Sequence, residues 1–218
     1  MVDDHVSIAV ASGDDYVSRG AHKLIGALDA FAVDVSDVVA LDAGASTGGF
    51  TDVLLRRGAA RVHCVDVGYG QLAWELRQDP RVKVLDRTNI RHLTGEQVGE
   101  DIDLVVADLS FISLSLVLPA LAAVSKPDAD FVLMVKPQFE VGREKLGAGG
   151  VVRDPALRRA AVLDVAESAY DVGLGTMGIA ASPLPGPAGN VEYFLWLRRG
   201  AGEINEAELD AAIAIGPQ

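Results

Sequence analysis

The sequence predicts an α/β fold with a mainly parallel, seven-stranded sheet and helices on both of its faces. Short aliphatic runs alternate along the chain with longer amphipathic stretches. Strands that are separated by helices pair in parallel, since each crossover returns the chain to the same edge of the sheet. The run FVLMV at 131–135 is continuously apolar, which is typical of a strand that is buried on both faces.

The N-terminal half of the chain begins with a helix and continues with strands and helices in turn. Ser18 is a favourable N-cap, and Leu24, Leu28 and Phe31 follow it at helical spacing. The strands are predicted from β-branched and aliphatic runs, and Gly58 ends the second helix. The predicted bounds are strand 38–43, helix 49–57, strand 61–67, helix 71–78 and strand 82–86.

The C-terminal half repeats this alternation and ends in two strands. Its longest helix begins with a proline at the first helical position, where a missing N–H costs nothing. The predicted bounds are strand 102–108, helix 113–124, strand 131–136, helix 154–173, strand 177–182 and strand 191–198. The glycine-rich stretch between 137 and 153 is interpreted as a functional, mobile loop.

Composition narrows the class of protein. The chain has 218 residues and a net charge of −12, which disfavours indiscriminate binding to nucleic acid. Segment 136–159 nevertheless holds six basic residues against three acidic ones and is a candidate anion-facing patch. Cys64 is the single cysteine, so neither an internal disulfide nor an all-cysteine metal site is expected, and we predict no metal. No apolar run approaches the roughly 20 residues of a membrane span, and a cytoplasmic protein is expected.

The turn LDAGASTGGF at 41–50 predicts a cofactor site. Glycines at a strand-to-helix turn let a ligand approach the backbone. The turn has no lysine, which excludes a P-loop, and it misses the dinucleotide pattern G-x-G-x-x-G. Asp42 precedes Gly44 by two residues, and Asp66 follows about 20 residues on, where an acid can bind ribose hydroxyls. Asp86 and Asn89 either contact an adenine edge or form only a polar turn.

A second group of polar residues is predicted at the same edge of the sheet. Asp108 and Lys136 end neighbouring strands, and ligands of such sheets bind above the carboxyl ends of the strands. Lys23 and Glu192 could join them there.

The glycine turn, with an acid two residues before its first glycine, resembles motif I of the S-adenosylmethionine-dependent methyltransferases. Members that methylate base amines typically carry Asn/Asp-Pro-Pro-aromatic after the fourth strand, and DLSF lacks these prolines, so that reaction is disfavoured. Methylation at C5 of a pyrimidine needs a cysteine nucleophile, whereas Cys64 lies inside a strand.

The set Lys23, Asp108, Lys136 and Glu192 resembles the Lys-Asp-Lys-Glu tetrad of the FtsJ-like ribose 2′-O-methyltransferases. Six strings resemble the TlyA branch of that family, the hemolysin A-type rRNA methyltransferases: SRGAHKL, LDAGASTGGFTD, DVGYGQL, ADLSFISL, VKPQFE and SPLPGPAGNVEYFLWL. The resemblance covers residues 16 to about 198. It implies a class I, Rossmann-like methyltransferase fold and transfer from S-adenosylmethionine to a ribose 2′-hydroxyl of cytidine in ribosomal RNA.

The resemblance also implies site residues, partners and domain bounds. It makes the tetrad catalytic and ribosomal subunits the partners of a monomeric enzyme that does not bind membranes. Such proteins usually carry an N-terminal S4 domain, and we expect this chain to lack it. The implied bounds are an arm at 1–15, the methyltransferase domain at 16–200 and an acidic, helical tail at 201–218. The implied cofactor residues are Asp42, Gly44, Ala45, Ser46, Gly48, Gly49, Phe50, Asp66, Val67, Asp86, Arg87, Asn89 and Asp108.

In this hypothesis Lys136 is the general base. Burial, Lys23 and a sulfonium cation favour the loss of its proton, and the carboxylates of Asp108 and Glu192 oppose it, so we assign these two acids mainly to positioning.

The sequence leaves two points open, which are the role of three aromatic residues and the function of the protein. Tyr69, Phe111 and Phe139 either stack on a base or belong to the core. The alternative functions are a small-molecule O-methyltransferase, a non-catalytic RNA-binding module and a hemolysin-type, membrane-active protein.

Overall fold

The structure, a computed structural model of the chain, describes residues 15–216, so all of the predicted N-terminal arm except Asp15 lies outside the described residues. The strands are β1 (Val39–Ala43), β2 (Arg61–Val65), β3 (Val82–Leu85), β4 (Ile102–Ala107), β5 (Ser125–Val135), β6 (Leu174–Ala181) and β7 (Tyr193–Arg199). The helices are α1 (Gly20–Phe31), α2 (Gly49–Arg56), α3 (Trp74–Gln78), α4 (Gly95–Val98), α5 (Leu118–Ala123), α6 (Pro137–Glu140), α7 (Pro155–Asp171) and α8 (Glu206–Ile215).

The seven strands form one sheet in the order β3-β2-β1-β4-β5-β7-β6. The α/β class and the number of strands are therefore as predicted, but the sheet is mixed. β7 runs antiparallel to both of its neighbours. The reason is the connection: residues 182–192 join β6 to β7 without a helix, and a chain that turns back without a crossover pairs antiparallel.

Each face of the sheet carries its own core. On one face α1 and α2 bury residues such as Leu24, Leu28 and Leu54 against β1, β2 and β4. On the other face α5, α7 and α8 bury residues such as Leu121, Val165 and Leu209. Helix α8 lies in the segment that was predicted to be an acidic tail, and its apolar side is packed into this second core. The layers leave the carboxyl ends of β1, β4 and β5 at one edge.

Most predicted elements match the observed ones to within three residues at each end, and two differ more. The predicted helix 113–124 is a 3₁₀ turn, Leu114–Leu116, followed by α5. Pro119 interrupts a continuous helix because it has no N–H to donate. The predicted strand 131–136 begins earlier, at Ser125.

The segment 137–153, which was predicted to be irregular, contains α6 and the 3₁₀ turns Arg143–Lys145 and Ala148–Gly150. Its far end is anchored by Asn190, whose Oδ1 accepts from Val152 N at 2.9 Å and whose Nδ2 donates to Gly150 O at 3.1 Å.

Candidate active site

A pocket of about 300 Å³ opens at the carboxyl ends of β1, β4 and β5. Six charged residues line it, and the four of the predicted tetrad come from four different elements: Lys23 from α1, Asp108 after β4, Lys136 after β5 and Glu192 before β7. The parallel strands β4 and β5 bring Asp108 and Lys136 side by side. The reversed direction of β7 brings its first residues, and with them Glu192, to the same edge.

The four side chains form two ion pairs. Lys23 Nζ lies 2.6 Å from Glu192 Oε2, and both side chains are almost completely buried. Lys136 Nζ lies 2.5 Å from Asp108 Oδ1, and this pair is more open to solvent on the side of Asp108. Paired charges are the form in which a core tolerates ionised groups. The pocket therefore presents two ammonium groups and two carboxylates at fixed positions.

Two neutral side chains extend the pairs and were missed by the sequence analysis. Ser110 Oγ accepts from Lys136 Nζ at 3.0 Å, and Gln138 Nε2 donates to Glu192 Oε1 at 3.3 Å. Each follows a predicted tetrad residue by two positions, Ser110 after Asp108 and Gln138 after Lys136. That spacing was the only signal in the sequence that could have found them.

The glycine turn forms one wall of the pocket. Gly44 has a φ of +85°, and a Cβ at this position would lie 2.8 Å from the carbonyl oxygen of Asp108. A residue with a side chain would be strained there and would clash with backbone. Gly49 begins α2, and a Cβ on it would overlap Ser18 Oγ. Both glycines are therefore required by the close packing of the turn against neighbouring parts of the protein, and the packed turn lines the pocket.

Asp42 is completely buried in this pocket wall. Its Oδ2 accepts from Thr51 Oγ1 at 2.7 Å, whereas its Oδ1 has no hydrogen-bond partner among the described residues. Burial raises the pKa of Asp42 from its ordinary value of 3.8 to about 7. A buried acceptor without a partner is a position where a cationic or N–H-bearing ligand gains a hydrogen bond.

This pKa gives a testable pH dependence. Between about pH 4 and pH 7 the folded protein keeps a proton that the unfolded chain has released, so the free energy of unfolding falls as the pH rises, by about 1.4 kcal/mol per pH unit at most. Asp42→Asn should remove this contribution, so its stability relative to wild type should rise from pH 5 to pH 7.5. Urea unfolding at both pH values checks this, with Asp130→Asn as a control in an ion pair outside the pocket. An identical pH dependence of Asp42→Asn and wild type would contradict the assignment.

The predicted cofactor residues fall into two groups. Seven line the pocket: Asp42, Gly44, Ala45, Ser46, Gly49, Phe50 and Asp108. The other six are not among its lining residues: Gly48, Asp66, Val67, Asp86, Arg87 and Asn89.

The acids and the amide of this second group have partners within the protein. Asp66 accepts from Ser46 N at 2.8 Å and from Gly68 N at 2.7 Å, and Asp86 pairs with Arg77 at 2.9 Å. Asn89 caps the 3₁₀ turn Ile90–His92. Asp66 therefore joins the glycine turn to the residues after β2. Asp86 is tied to α3 through Arg77, and Asn89 is tied to the turn that follows it.

A second, larger pocket of about 990 Å³ adjoins the first. The two share Ser110, Lys136, Pro187 and Glu192, so Lys136 lies where they meet. The second pocket is bounded by α6, the 108–114 loop and residues 186–192. Within residues 15–216, no group of three or more His, Cys, Asp or Glu side chains could hold a metal ion.

Two aromatic rings stand on the wall of the second pocket. Phe111 is 91 % exposed, has a φ of +64° and packs on Phe139 with 5.1 Å between the ring centroids. A bulky residue in the left-handed region is rare and costs free energy. A large exposed ring that is held in such a conformation marks a binding surface better than a core position.

Comparison with known proteins assigns the family. The family model for FtsJ-like methyltransferases matches residues 16–199. The chain belongs to the FtsJ-like methyltransferase family. Its relatives include the 16S/23S rRNA (cytidine-2′-O)-methyltransferase TlyA of Mycobacterium tuberculosis, which is 62% identical over 199 residues, or 90% of this chain and 74% of the relative. They also include the 23S rRNA (cytidine-2′-O)-methyltransferase TlyA of Campylobacter jejuni, which is 34% identical over 182 residues, or 83% of this chain and 70% of that protein.

Among solved structures, a Lactococcus lactis protein provisionally named a hemolysin superposes on this family member with a TM-score of 0.88 and 38% identity. The alignment covers 93% of this chain and 98% of that one. As for the membrane activity that its name suggests, none of the helices within 15–216 is long and apolar enough to cross a bilayer.

Proposed function

We propose that this chain transfers a methyl group from S-adenosylmethionine to the ribose 2′-hydroxyl of a cytidine in ribosomal RNA. The observation that carries the proposal is the position of the two lysine–carboxylate pairs where two pockets meet. One pocket is walled by a glycine turn and suits the cofactor. The other is large, bears the exposed ring of Phe111 beside Phe139, and suits a nucleotide. The activities named for the M. tuberculosis and C. jejuni relatives agree with this reading.

The first pocket fits the cofactor chemically. The glycine turn lines the pocket, and the free Oδ1 of Asp42 is assigned as an acceptor for the ammonium group of the methionine moiety. When bound, S-adenosylmethionine supplies an electrophilic methyl group on a sulfonium centre. We assign its contacts to the lining residues of the turn and to Asp108. Asp66 accepts from the lining residue Ser46, and the 86–89 turn donates to the Asp66 carbonyl through Thr88 N. We assign Asp66, Val67 and this turn to the adenosine portion.

The tetrad prepares the 2′-hydroxyl. A ribose hydroxyl is a weak nucleophile until its proton is removed. Lys136 lies at the junction of the two pockets and is assigned as the general base that takes this proton. Asp108 holds the Lys136 Nζ in place, and the buried Lys23–Glu192 pair forms the opposite side of the junction. Holding the base and the ribose in line with the methyl group is a large part of such catalysis.

The proposed macromolecular partner is the ribosomal subunit, because it contains the RNA substrate. Ribosomal RNA within a ribosomal subunit is the proposed substrate, and the enzyme would act as a monomer in the cytoplasm, where subunits are assembled. Residues 16–200 are proposed as the catalytic unit. Within segment 136–159, Arg143, Lys145 and Arg153 are exposed and can meet RNA phosphates, and Arg143 lines the second pocket. The other three basic residues of the segment are buried or paired within the protein.

The decisive experiment follows radiolabelled methyl groups into unmodified ribosomal subunits, after which the RNA is digested with alkali. A 2′-O-methyl group blocks cleavage at its own phosphodiester. Label in alkali-resistant dinucleotides is therefore the expected result. Label in mononucleotides would show methylation of a base and would overturn the proposal, as would bound cofactor with no transfer to either subunit.

Phe111 is predicted to stack on the target base. Phe111→Ala should raise the KM for ribosomal subunits about tenfold, because one base–aromatic stack contributes about 1–3 kcal/mol. The dissociation constant of the cofactor should stay unchanged, since Phe111 lines only the second pocket. Steady-state methyl transfer and cofactor titration measure the two quantities. Trp74→Ala, which removes another exposed aromatic side chain at a distance from this pocket, is the control. An unchanged KM in Phe111→Ala would exclude the stacking role.

A further inference from the structure

Helix α6 is one turn long, yet a charged residue at each of its ends contacts the same loop. Lys136 precedes the helix and Glu140 is its last residue. Lys136 Nζ contacts Asp108 and Ser110 at the near end of the 108–114 loop, at 2.5 and 3.0 Å. Glu140 contacts the far end of that loop. The loop is therefore fixed at both ends by a single short helix.

The contacts of Glu140 are specific. Its Oε2 accepts from Ser113 Oγ at 2.5 Å, and its Oε1 accepts from Leu114 N at 3.0 Å. Leu114 begins a 3₁₀ turn, so this N–H has no partner within the turn and is satisfied by the carboxylate. Hydrogen bonds to an ionised acceptor are stronger than neutral ones. The carboxylate of Glu140 thus holds the loop through the side chain of Ser113 and the backbone of Leu114.

Phe111 lies between the two fixed ends. Its positive φ is unfavourable for a phenylalanine and persists only where the surroundings hold it. The ring is 91 % exposed, so packing on Phe139 is not enough to hold the backbone in this conformation. The attachments of the loop at Lys136 and Glu140 supply the missing constraint.

We propose that Glu140 is a positioning residue for the RNA substrate. It fixes the far end of the 108–114 loop and so holds the ring of Phe111 at the wall of the second pocket, where the target base binds. The inference rests on the proposed function, because it assigns the second pocket to the target nucleotide. Glu140 itself is outside the lining of both pockets, so it acts through the loop and not by contact with the substrate.

The test compares Glu140→Ala and Glu140→Gln with wild type in methyl transfer to unmodified ribosomal subunits. Glu140→Ala should raise the KM for subunits about tenfold, the ratio expected for the loss of one or two hydrogen bonds. Its kcat and the dissociation constant of S-adenosylmethionine should change by no more than about twofold. Glu140→Gln should recover most of the affinity, since an amide oxygen still accepts from Leu114 N. Glu167→Ala, which removes an exposed acid of α7 outside both pockets, is the control and should behave as wild type.

A double-mutant cycle with Phe111→Ala decides whether Glu140 acts through Phe111. If it does, Glu140→Ala adds little to the KM of Phe111→Ala. An equal tenfold increase in both backgrounds would overturn the proposal, as would a normal KM in active Glu140→Ala. If Glu140→Ala fails to fold, Ser113→Ala removes one of the two contacts from the loop side and should raise the KM by a smaller factor; an unchanged KM there would also overturn it. Wild-type protein that transfers no label would overturn the proposed function and this inference with it.

Discussion

Lys136→Ala is expected to reduce methyl transfer by about 10²- to 10⁴-fold, the range for loss of a general base. The cofactor should still bind, because the glycine turn and Asp42 are untouched. Lys136→Arg should be nearly as inactive, since a guanidinium keeps the charge but does not release its proton near neutrality. Single-turnover transfer and cofactor titration separate the two steps. This pair of variants distinguishes a base from a cation that only stabilises charge.

The chain offers a matched control. Lys126 and Asp103 also form an ion pair between β5 and β4, at 2.6 Å, but at the opposite end of these strands. Lys126→Ala should leave transfer unchanged. Two results would remove the base assignment: full activity in Lys136→Arg, or loss of cofactor binding in Lys136→Ala.

Glu192→Ala is expected to destabilise the fold by about 3–5 kcal/mol, because it leaves the ammonium of Lys23 buried and unpaired. Both side chains are nearly inaccessible, 6% and 1%, so water does not replace the lost partner. The exposed pair Arg57–Asp29 is the control, since Asp29→Ala should cost no more than about 1 kcal/mol. Urea unfolding measures all of these changes.

Removing both charges separates stability from activity. Lys23→Met combined with Glu192→Gln should regain stability to within about 1–2 kcal/mol of wild type, because neither residue then buries an unpaired charge. Methyl transfer should remain lost, since the charged side of the pocket junction is gone. Full activity in this stable double variant would show that the pair serves the fold alone.

Much of the fold was predictable because its signals are local. Continuous aliphatic runs such as that of β5, and the proline at the start of α7, predict elements from neighbouring residues. The reversal of β7 also had a signal, the missing helix between 182 and 192, but the general rule for alternating strands and helices outweighed it. Pro119 likewise marked the interruption before α5.

The candidate site was predictable in its residue types and incomplete in its contacts. The lysines and acids of the tetrad could be found because two of them end neighbouring parallel strands and all four match a family pattern. Ser110 and Gln138 had only their spacing from Asp108 and Lys136 as a signal, and Glu140 was missed because a glutamate acquires such a role only from its partner. Glu140 meets Ser113 across 27 positions of the chain, and such a pairing leaves no trace in local sequence.

The sequence by itself determined the α/β class, the glycine turn and the excess of basic residues in segment 136–159, directly after the buried strand β5. Those follow from steric preferences and hydrophobic spacing, which act between near neighbours. Only the tertiary structure decided how Lys23 is paired with Glu192 and Lys136 with Asp108, that two pockets meet at Lys136, and that α6 holds both ends of one loop. These depend on distances between residues remote in the chain, which packing of the helices against the sheet sets.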